Sequence, residues 1–217
     1  ATIAELVTIN AATDDTVTLN AATIAANFTG TAADLASAFT GITSHSGTLT
    51  ITGGVAATIA QLKTINAATD DTVTLNTATI EADFTDTVAN LTSAFAGITT
   101  HTGTLTATGT APTVAQANTL DAVTAGVLTA TVQDDATTLA TLTGTGNAYT
   151  ITLDNDDAAT IAELVTINAA TTGSITLNAL TIAANFSDTA ANLSSAFTGI
   201  TSHSGTLTLT DGTAATI

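Results

Sequence analysis

With 217 residues, 18 Asp and Glu against a single Lys, and a formal charge of −17, the chain lacks the basic footprint that nucleic acid or an anionic membrane surface requires. Charged residues make up only 9% and hydrophobic residues 45%, which excludes the charge-rich, apolar-poor composition of disordered acidic segments. There is no Cys, hence no disulfide or thiolate metal site, and no apolar run approaches a membrane span.

The elements recur. Ala1-Thr2-Ile3-Ala4-Glu5-Leu6 returns as Ala57-Thr58-Ile59-Ala60-Gln61-Leu62 and as Ala159-Thr160-Ile161-Ala162-Glu163-Leu164. The shift is 56 residues from position 1 to 57, and again from 159 to the closing Ala215-Thr216-Ile217. The units are read as 1–56, 57–111, a divergent and shorter 112–158, and 159–214, with 215–217 opening a further unit. The chain starts and stops at one phase of the repeat, so it is expected to be a window of a longer array or a subunit that joins head to tail.

In chain order, Thr2-Ile3-Ala4-Glu5 carries the Thr-x-x-Glu spacing of a capping box, which Thr58/Gln61, Thr113/Gln116 and Thr160/Glu163 share. Ile3, Leu6 and Val7 follow at helical spacing. The alternating Thr16-Val17-Thr18-Leu19 reads as a strand, and Thr23 to Phe28 as a further short one. A second helix is expected from Thr31, with Leu35 and Phe39 on one face, as with Leu91/Phe95 and Leu193/Phe197. Asp86 and Asp188 suit the N-caps of its later copies, and Gly41, Gly97 and Gly199 stand where these helices stop. Thr48 to Thr52 and Thr206 to Thr210 are strands by alternation. The divergent unit gives strand, helix and strand at 127–132, 134–142 and 149–153.

The expected fold is α/β: a repeat solenoid of roughly eight short helix–strand coils with a parallel sheet, its coil length that of known α/β repeats. Right-handed crossovers set the helices on one face of the sheet. Strands sit ~4.8 Å apart while helices need ~8–10 Å, so the array is expected to curve or supercoil. The six Phe residues fall at two repeat positions and are expected to stack in ladders.

Asp86-Thr87-Val88-Ala89-Asn90-Leu91 and Asp188-Thr189-Ala190-Ala191-Asn192-Leu193 resemble the DTAANL element of tandem arrays in giant bacterial and cyanobacterial surface proteins. Thr113-Val114-Ala115-Gln116-Ala117-Asn118, followed by Thr124-Ala125-Gly126, is similar to the same arrays. The resemblance covers nearly the whole chain. It implies a secreted, surface-attached or filamentous protein and no catalytic activity.

Candidate chemistry is sparse. His45, His101 and His203 occur once per long unit, too far apart to share a metal ion, and read as surface or turn residues. Of the acidic clusters, Asp154-Asn155-Asp156-Asp157 is the best calcium candidate, with Asp154, Asp156 and Asp157 as ligands, because hard cations bind clustered carboxylates. Solvated turns explain the same residues. The Thr-x-Thr runs raise ice as a ligand, and an adhesin role raises glycans. No catalytic order of Ser, His and Asp and no phosphate-binding glycine loop is present. The reading is thus a non-enzymatic structural module of an extracellular filament, sheath or giant cell-surface protein, partnered by adjacent repeats or copies of itself, with an ice- or glycan-binding segment as the rival.

Overall fold

A computed structural model of the chain describes residues 1–154 and 157–212. The described residues form an α/β structure of eleven helices and ten strands, divided into two compact units. The first unit comprises Ala1–Gly109 and Ala122–Gly126, the second Thr110–Asp121 and Val127–Ile217.

In the first unit, α1 (Ile3–Ala11), α2 (Ala21–Ile24), β1 (Phe28–Gly30), α3 (Ala32–Phe39) and β2 (Leu49–Ile51) are followed by α4 (Ile59–Ala68), β3 (Val73–Thr74) and α5 (Thr77–Glu81). β4 (Phe84–Thr87), α6 (Val88–Phe95) and β5 (Leu105–Thr108) complete it. Strands β1, β2 and β3 form a parallel sheet, with Phe28 opposite Leu49 and Leu49 opposite Val73. β4 and β5 pair in parallel, Phe84 opposite Leu105. In the second unit, α7 (Val114–Asp121), β6 (Leu128–Asp134), α8 (Ala136–Leu139), β7 (Ala148–Leu153), α9 (Ile161–Ala170) and β8 (Ile175–Thr176) come first. α10 (Ala179–Ala183), β9 (Phe186–Asp188), α11 (Ala190–Phe197) and β10 (Leu207–Leu209) follow. β6, β7 and β8 are parallel neighbours, as are β9 and β10.

Local chemistry explains the elements. Thr2, Thr58 and Thr160 each accept from the backbone N–H three residues on, while Glu5, Gln61 and Glu163 reach back to the cap backbone. These reciprocal bonds satisfy helix-start donors that would otherwise be orphaned. At the far ends of α3, α6 and α11, Gly41, Gly97 and Gly199 take φ of 75°, 73° and 73°, the left-handed turn that ends a helix. Apolar residues at helical and alternating spacing meet inside: Leu35, Leu49, Leu62 and Leu91 in the first unit, Leu120, Leu128, Leu139 and Leu164 in the second, all fully buried.

Several local expectations are corrected. The stretch from Thr23 to Phe28 opens in helix α2, because Asn20 caps it by accepting from Thr23 N (2.9 Å), and only Phe28 begins a strand. The caps of α6 and α11 are Thr87 and Thr189, one residue later than Asp86 and Asp188, whose carboxylates instead accept from the Thr87 and Thr189 N–H groups (2.7 Å each). Thr16 to Leu19 is not a strand, although the same four residues at 72–75 contain β3. An even series of helix–strand coils is also broken. β1 to β2 and β2 to β3 are full excursions within one sheet, but only the five-residue helix α5 separates β3 from β4, which lies in a different sheet. The same happens from β8 through α10 to β9. The phenylalanines form no continuous ladder. They meet as Phe28/Phe39, Phe84/Phe95 and Phe186/Phe197, with centroids 5.6, 5.4 and 5.7 Å apart.

Candidate functional site

Of the predicted calcium ligands, Asp154 and Asp157 follow β7. The Asp154 carboxylate accepts from Gln133 Nε2 (2.7 Å), and its N–H donates to the Asp134 carbonyl (2.9 Å). Asn178 Nδ2 donates to the main-chain carbonyls of Asp154 and Asp157 (2.5 and 2.8 Å) and its Oδ1 accepts from Thr181 N. Asp156 lies outside the described residues. Among the described residues, no group of three His, Asp or Glu side chains is gathered as a metal ion requires. Asn76 makes the same clamp in the first unit, on the carbonyls of Gly53 and Val55 (2.8 and 2.9 Å). The Asn clamp is thus common to an acidic loop and to one without any carboxylate.

Beside this loop, Asp135, Thr137, Asp157, Thr160 and Glu163 line a pocket. Two of its three acids, Asp135 and Glu163, are occupied by helix starts. Asp135 caps α8, and the Thr138 N–H holds its carboxyl below the usual range, helped by the Thr138 hydroxyl. Glu163 is lowered first by the Thr160 N–H, against desolvation and the nearby Asp135 charge. Both stay ionised and neither is poised to transfer a proton near neutrality.

The histidines overturn the surface reading. His45 and His101 are fully buried and His203 is half-buried. Nε2 of each meets a carbonyl, that of Ala26, Ala82 or Ala184, at 2.8, 2.9 and 3.0 Å. The carbonyl accepts, so Nε2 carries the proton. Each imidazole packs on two phenyl rings at 4.8–5.5 Å. Nδ1 of His45 and of His101 is buried with no partner. For His101, desolvation outweighs the Ala82 bond and the Asp83 charge and lowers the pKa. The three imidazoles link one strand step to the one before through these carbonyl bonds.

A second set was not singled out from sequence. Asn66 Nδ2 donates to the carbonyls of Ser93, Ala94 and Ala96 (3.2, 3.3 and 2.9 Å), gathering the last turn of α6 onto α4. Asn10 does this for Ser37, Ala38 and Thr40, and Asn168 for Ala196 and Thr198. The visible signal is an Ile-Asn-Ala triplet at 9–11, 65–67 and 167–169, an amide placed in the last turn of a helix beside an isoleucine.

No known family, curated protein or solved structure matches the chain. The geometry therefore speaks alone. The Asn clamps, the capping boxes and the histidines all bond the protein's own backbone. The threonines of the Thr-x-Thr runs line up between strands, Thr29 beside Thr50 beside Thr74, and Thr85 beside Thr106. No helix among the described residues is long and apolar enough to cross a membrane.

Proposed function

We propose that the chain is a structural module: a stretch of an α/β repeat solenoid belonging to an extracellular filament, sheath or giant cell-surface protein, with the repeat units 1–56, 57–111, 112–158 and 159–214. The observation that carries this is the recurrence of one set of backbone-directed clamps. His45, His101 and His203 grip equivalent carbonyls, as do Asn10, Asn66 and Asn168. In such arrays each unit is stabilised by its neighbours, and stability grows with their number. The polar side chains are spent on holding successive steps together, which suits a load-bearing or spacing role.

Surface chemistry supports an extracellular setting. A single Lys and no Arg leave trypsin-like proteases one cleavage site, and 18 acidic residues keep neighbouring assemblies apart by repulsion. The resemblance to DTAANL-type surface arrays points the same way. Calcium at Asp154 and Asp157 is a secondary element, acting as a bridge between charged surfaces. An ice- or glycan-binding role draws on the threonine row of β1, β2 and β3, whose strands are only two or three residues long, a small platform for either ligand.

Electron microscopy of the purified native protein tests the reading. Uniform fibres with a regular axial repeat are expected. Isolated short particles at every concentration, together with thermal hysteresis or a glycan-array signal, would replace it with the binding-module reading.

A further inference from the structure

The single lysine of the sequence bonds a side-chain amide, not a carboxylate. Lys63, half-buried on α4, donates from Nζ to the side-chain carbonyl of Asn90 on α6 (2.5 Å), 27 residues further along. The Asn90 amide nitrogen in turn donates to the Asp86 carboxylate (2.7 Å). An amine, a carboxamide and a carboxylate are thus in contact, one after the other. Among 18 acidic residues, an amide is an odd partner for the lone lysine if its task is charge pairing. The repeats sharpen the point. The equivalent positions hold Val7 and Asp34 in unit 1–56, and Val165 and Asn192 in unit 159–214. Where the acid stands there is no lysine, and where the lysine stands the acid is an amide.

The three groups are held in place from both helices. α4 and α6 pack side by side, and Asn66, one turn after Lys63, bonds the carbonyls of Ser93, Ala94 and Ala96. At the start of α6, Asn90 N donates to the capping Thr87 hydroxyl (3.3 Å), and Thr87 N donates to the Asp86 carboxylate (2.7 Å). Asn90 is therefore fixed through its backbone and both ends of its amide. A C=O bond is ~1.2 Å long, so Nζ stands roughly 3 Å from the Asn90 Cγ, the separation at which a nucleophile is ready to attack. Asp86 touches the nitrogen that such an attack would expel. The Asn90 amide, then the Thr87 N–H, hold its carboxyl below the usual range, so it is ionised and open to a proton.

We propose that Lys63 and Asn90 join in an intramolecular isopeptide bond, with Asp86 as the proton shuttle. Nζ gives up a proton to Asp86 and attacks the Asn90 Cγ. The Nζ–Cγ bond forms and the Cγ–Nδ2 bond breaks. Asp86 carries the two protons that the lysine nitrogen loses, one after the other, to Nδ2, which departs as ammonium. Asp86 is left a carboxylate as before, and no oxidant or cofactor is consumed. The bond ties residue 63 to residue 90 around β3, α5 and β4. β3 and β4 belong to different sheets, so the cross-link spans the step at which the chain leaves one sheet for the next. It constrains that step as a disulfide would in a chain that had cysteine. Acylation of the single lysine also removes the single trypsin site. The bond goes beyond the structural-module reading and does not depend on it.

Mass spectrometry of the full chain, folded and then denatured, tests the bond before and after trypsin. The expected mass is that of the sequence less one ammonia, and the denatured chain is expected to resist trypsin, because an acylated lysine is not cleaved. Lys63→Arg keeps the charge without the amine, and should give the full mass and two tryptic fragments. In freshly synthesised chain, Asp86→Asn is expected to slow the loss of ammonia at least tenfold, the lower end of what a positioned proton carrier contributes. An equal rate would reject Asp86 as the shuttle. Val165→Lys sets a second amine where Asn192 already bonds Asp188 (2.8 Å), and should release a second ammonia. If that amine stays free, the three groups do not suffice and the assignment fails. A full-mass native chain that trypsin cuts in two overturns the proposal and leaves the structural-module reading untouched. Loss of ammonia with cleavage still occurring after residue 63 also overturns it, since that marks an asparagine closed on its own backbone.

Discussion

The step around His45 in the first unit and the step around Asn147 in the second solve one packing problem in two ways. Each residue forms a parallel bridge with a threonine, His45 with Thr69 and Asn147 with Thr171. Each threonine hydroxyl donates to the carbonyl two residues further along, Gly47 O or Tyr149 O, both at 2.7 Å. Inside, the fillings differ. In the first unit two phenylalanines and an imidazole close the core, and residue 47 must be Gly because a Cβ there would sit 2.2 Å from the Ala26 carbonyl. In the second, a single buried Tyr149 fills the space, and Asn147 bonds Asp121 and the Leu128 N–H instead of a preceding carbonyl. The backbone and threonine bonding is what the two share; the side chains that fill behind it are exchangeable as sets and not one at a time.

The sharpest way to break that comparison is to empty one filling. Phe39→Ala removes a fully buried ring touching both Phe28 and His45, and Tyr149→Ala removes the fully buried aromatic ring of its step. Each is expected to cost about 3–5 kcal/mol. Urea unfolding, read with amide exchange at 28–49 and at 128–151, should show the loss concentrated in the unit that carries the change. A uniform loss across both would mean that the two fillings are not independent.

Next in size is the Asn clamp. Asn66→Ala strips three carbonyls of their donor, one of them partly buried, and is expected to destabilise by about 1–3 kcal/mol. In the divergent unit the position of Asn66 holds Asp121, and Asn118, one turn earlier, donates to one carbonyl, Thr141 O, and accepts from Thr143 N. Asn118→Ala should cost less. The reverse order would show that the number of carbonyls gathered is not what matters.

The two fillings also differ in their response to acid. His101 is neutral in the folded protein, and its pKa lies below the ordinary value of about 6.5 because burial outweighs the Ala82 carbonyl and the Asp83 charge. The unfolded chain therefore binds this proton first. Stability is full above pH 6.5 and falls as pH drops below it, until the folded histidine also titrates. Protonation would place a second N–H at Nδ1, where no acceptor stands. Between pH 6.5 and 5, urea midpoints reporting on 84–105 should fall while those reporting on 147–153 hold. His101→Gln should flatten the slope; an unchanged slope would assign it to carboxylates.

Sequence alone shows the parts whose cause is local. The capping boxes, the helix-ending Gly41, Gly97 and Gly199, and most strands follow from patterns within a few residues. What it hides depends on partners far along the chain. Thr16 to Leu19 and Thr72 to Leu75 are the same tetrapeptide, and only the copy with a neighbouring strand is in a sheet. His45 reads as a turn residue because it is flanked by Ser44 and Ser46, yet two phenylalanines 17 and 6 residues earlier bury it. The acidic run at 154–157 shows charge density in the sequence, but the bonds of Asn178 to the main-chain carbonyls of Asp154 and Asp157, from 24 and 21 residues away, are invisible there.

The smallest expected effect separates the fillings most finely. The Tyr149 hydroxyl is buried without a hydrogen-bond partner, and burial, then the Asp121 charge, raise its pKa, so it stays a neutral phenol. An unpaired buried hydroxyl opposes folding, since it has given up water for nothing. Tyr149→Phe keeps the ring and removes that group. The variant is expected to be unchanged or more stable by up to about 1 kcal/mol, because deleting an unsatisfied group at constant shape is neutral or favourable. His101→Phe looks like the parallel change but is not. It removes an orphan Nδ1 together with a working Nε2–H bond to Ala82, and should destabilise. If Tyr149→Phe also destabilises, the hydroxyl has a partner in solution, such as a buried water, and the two units then differ in hydration as well as in shape.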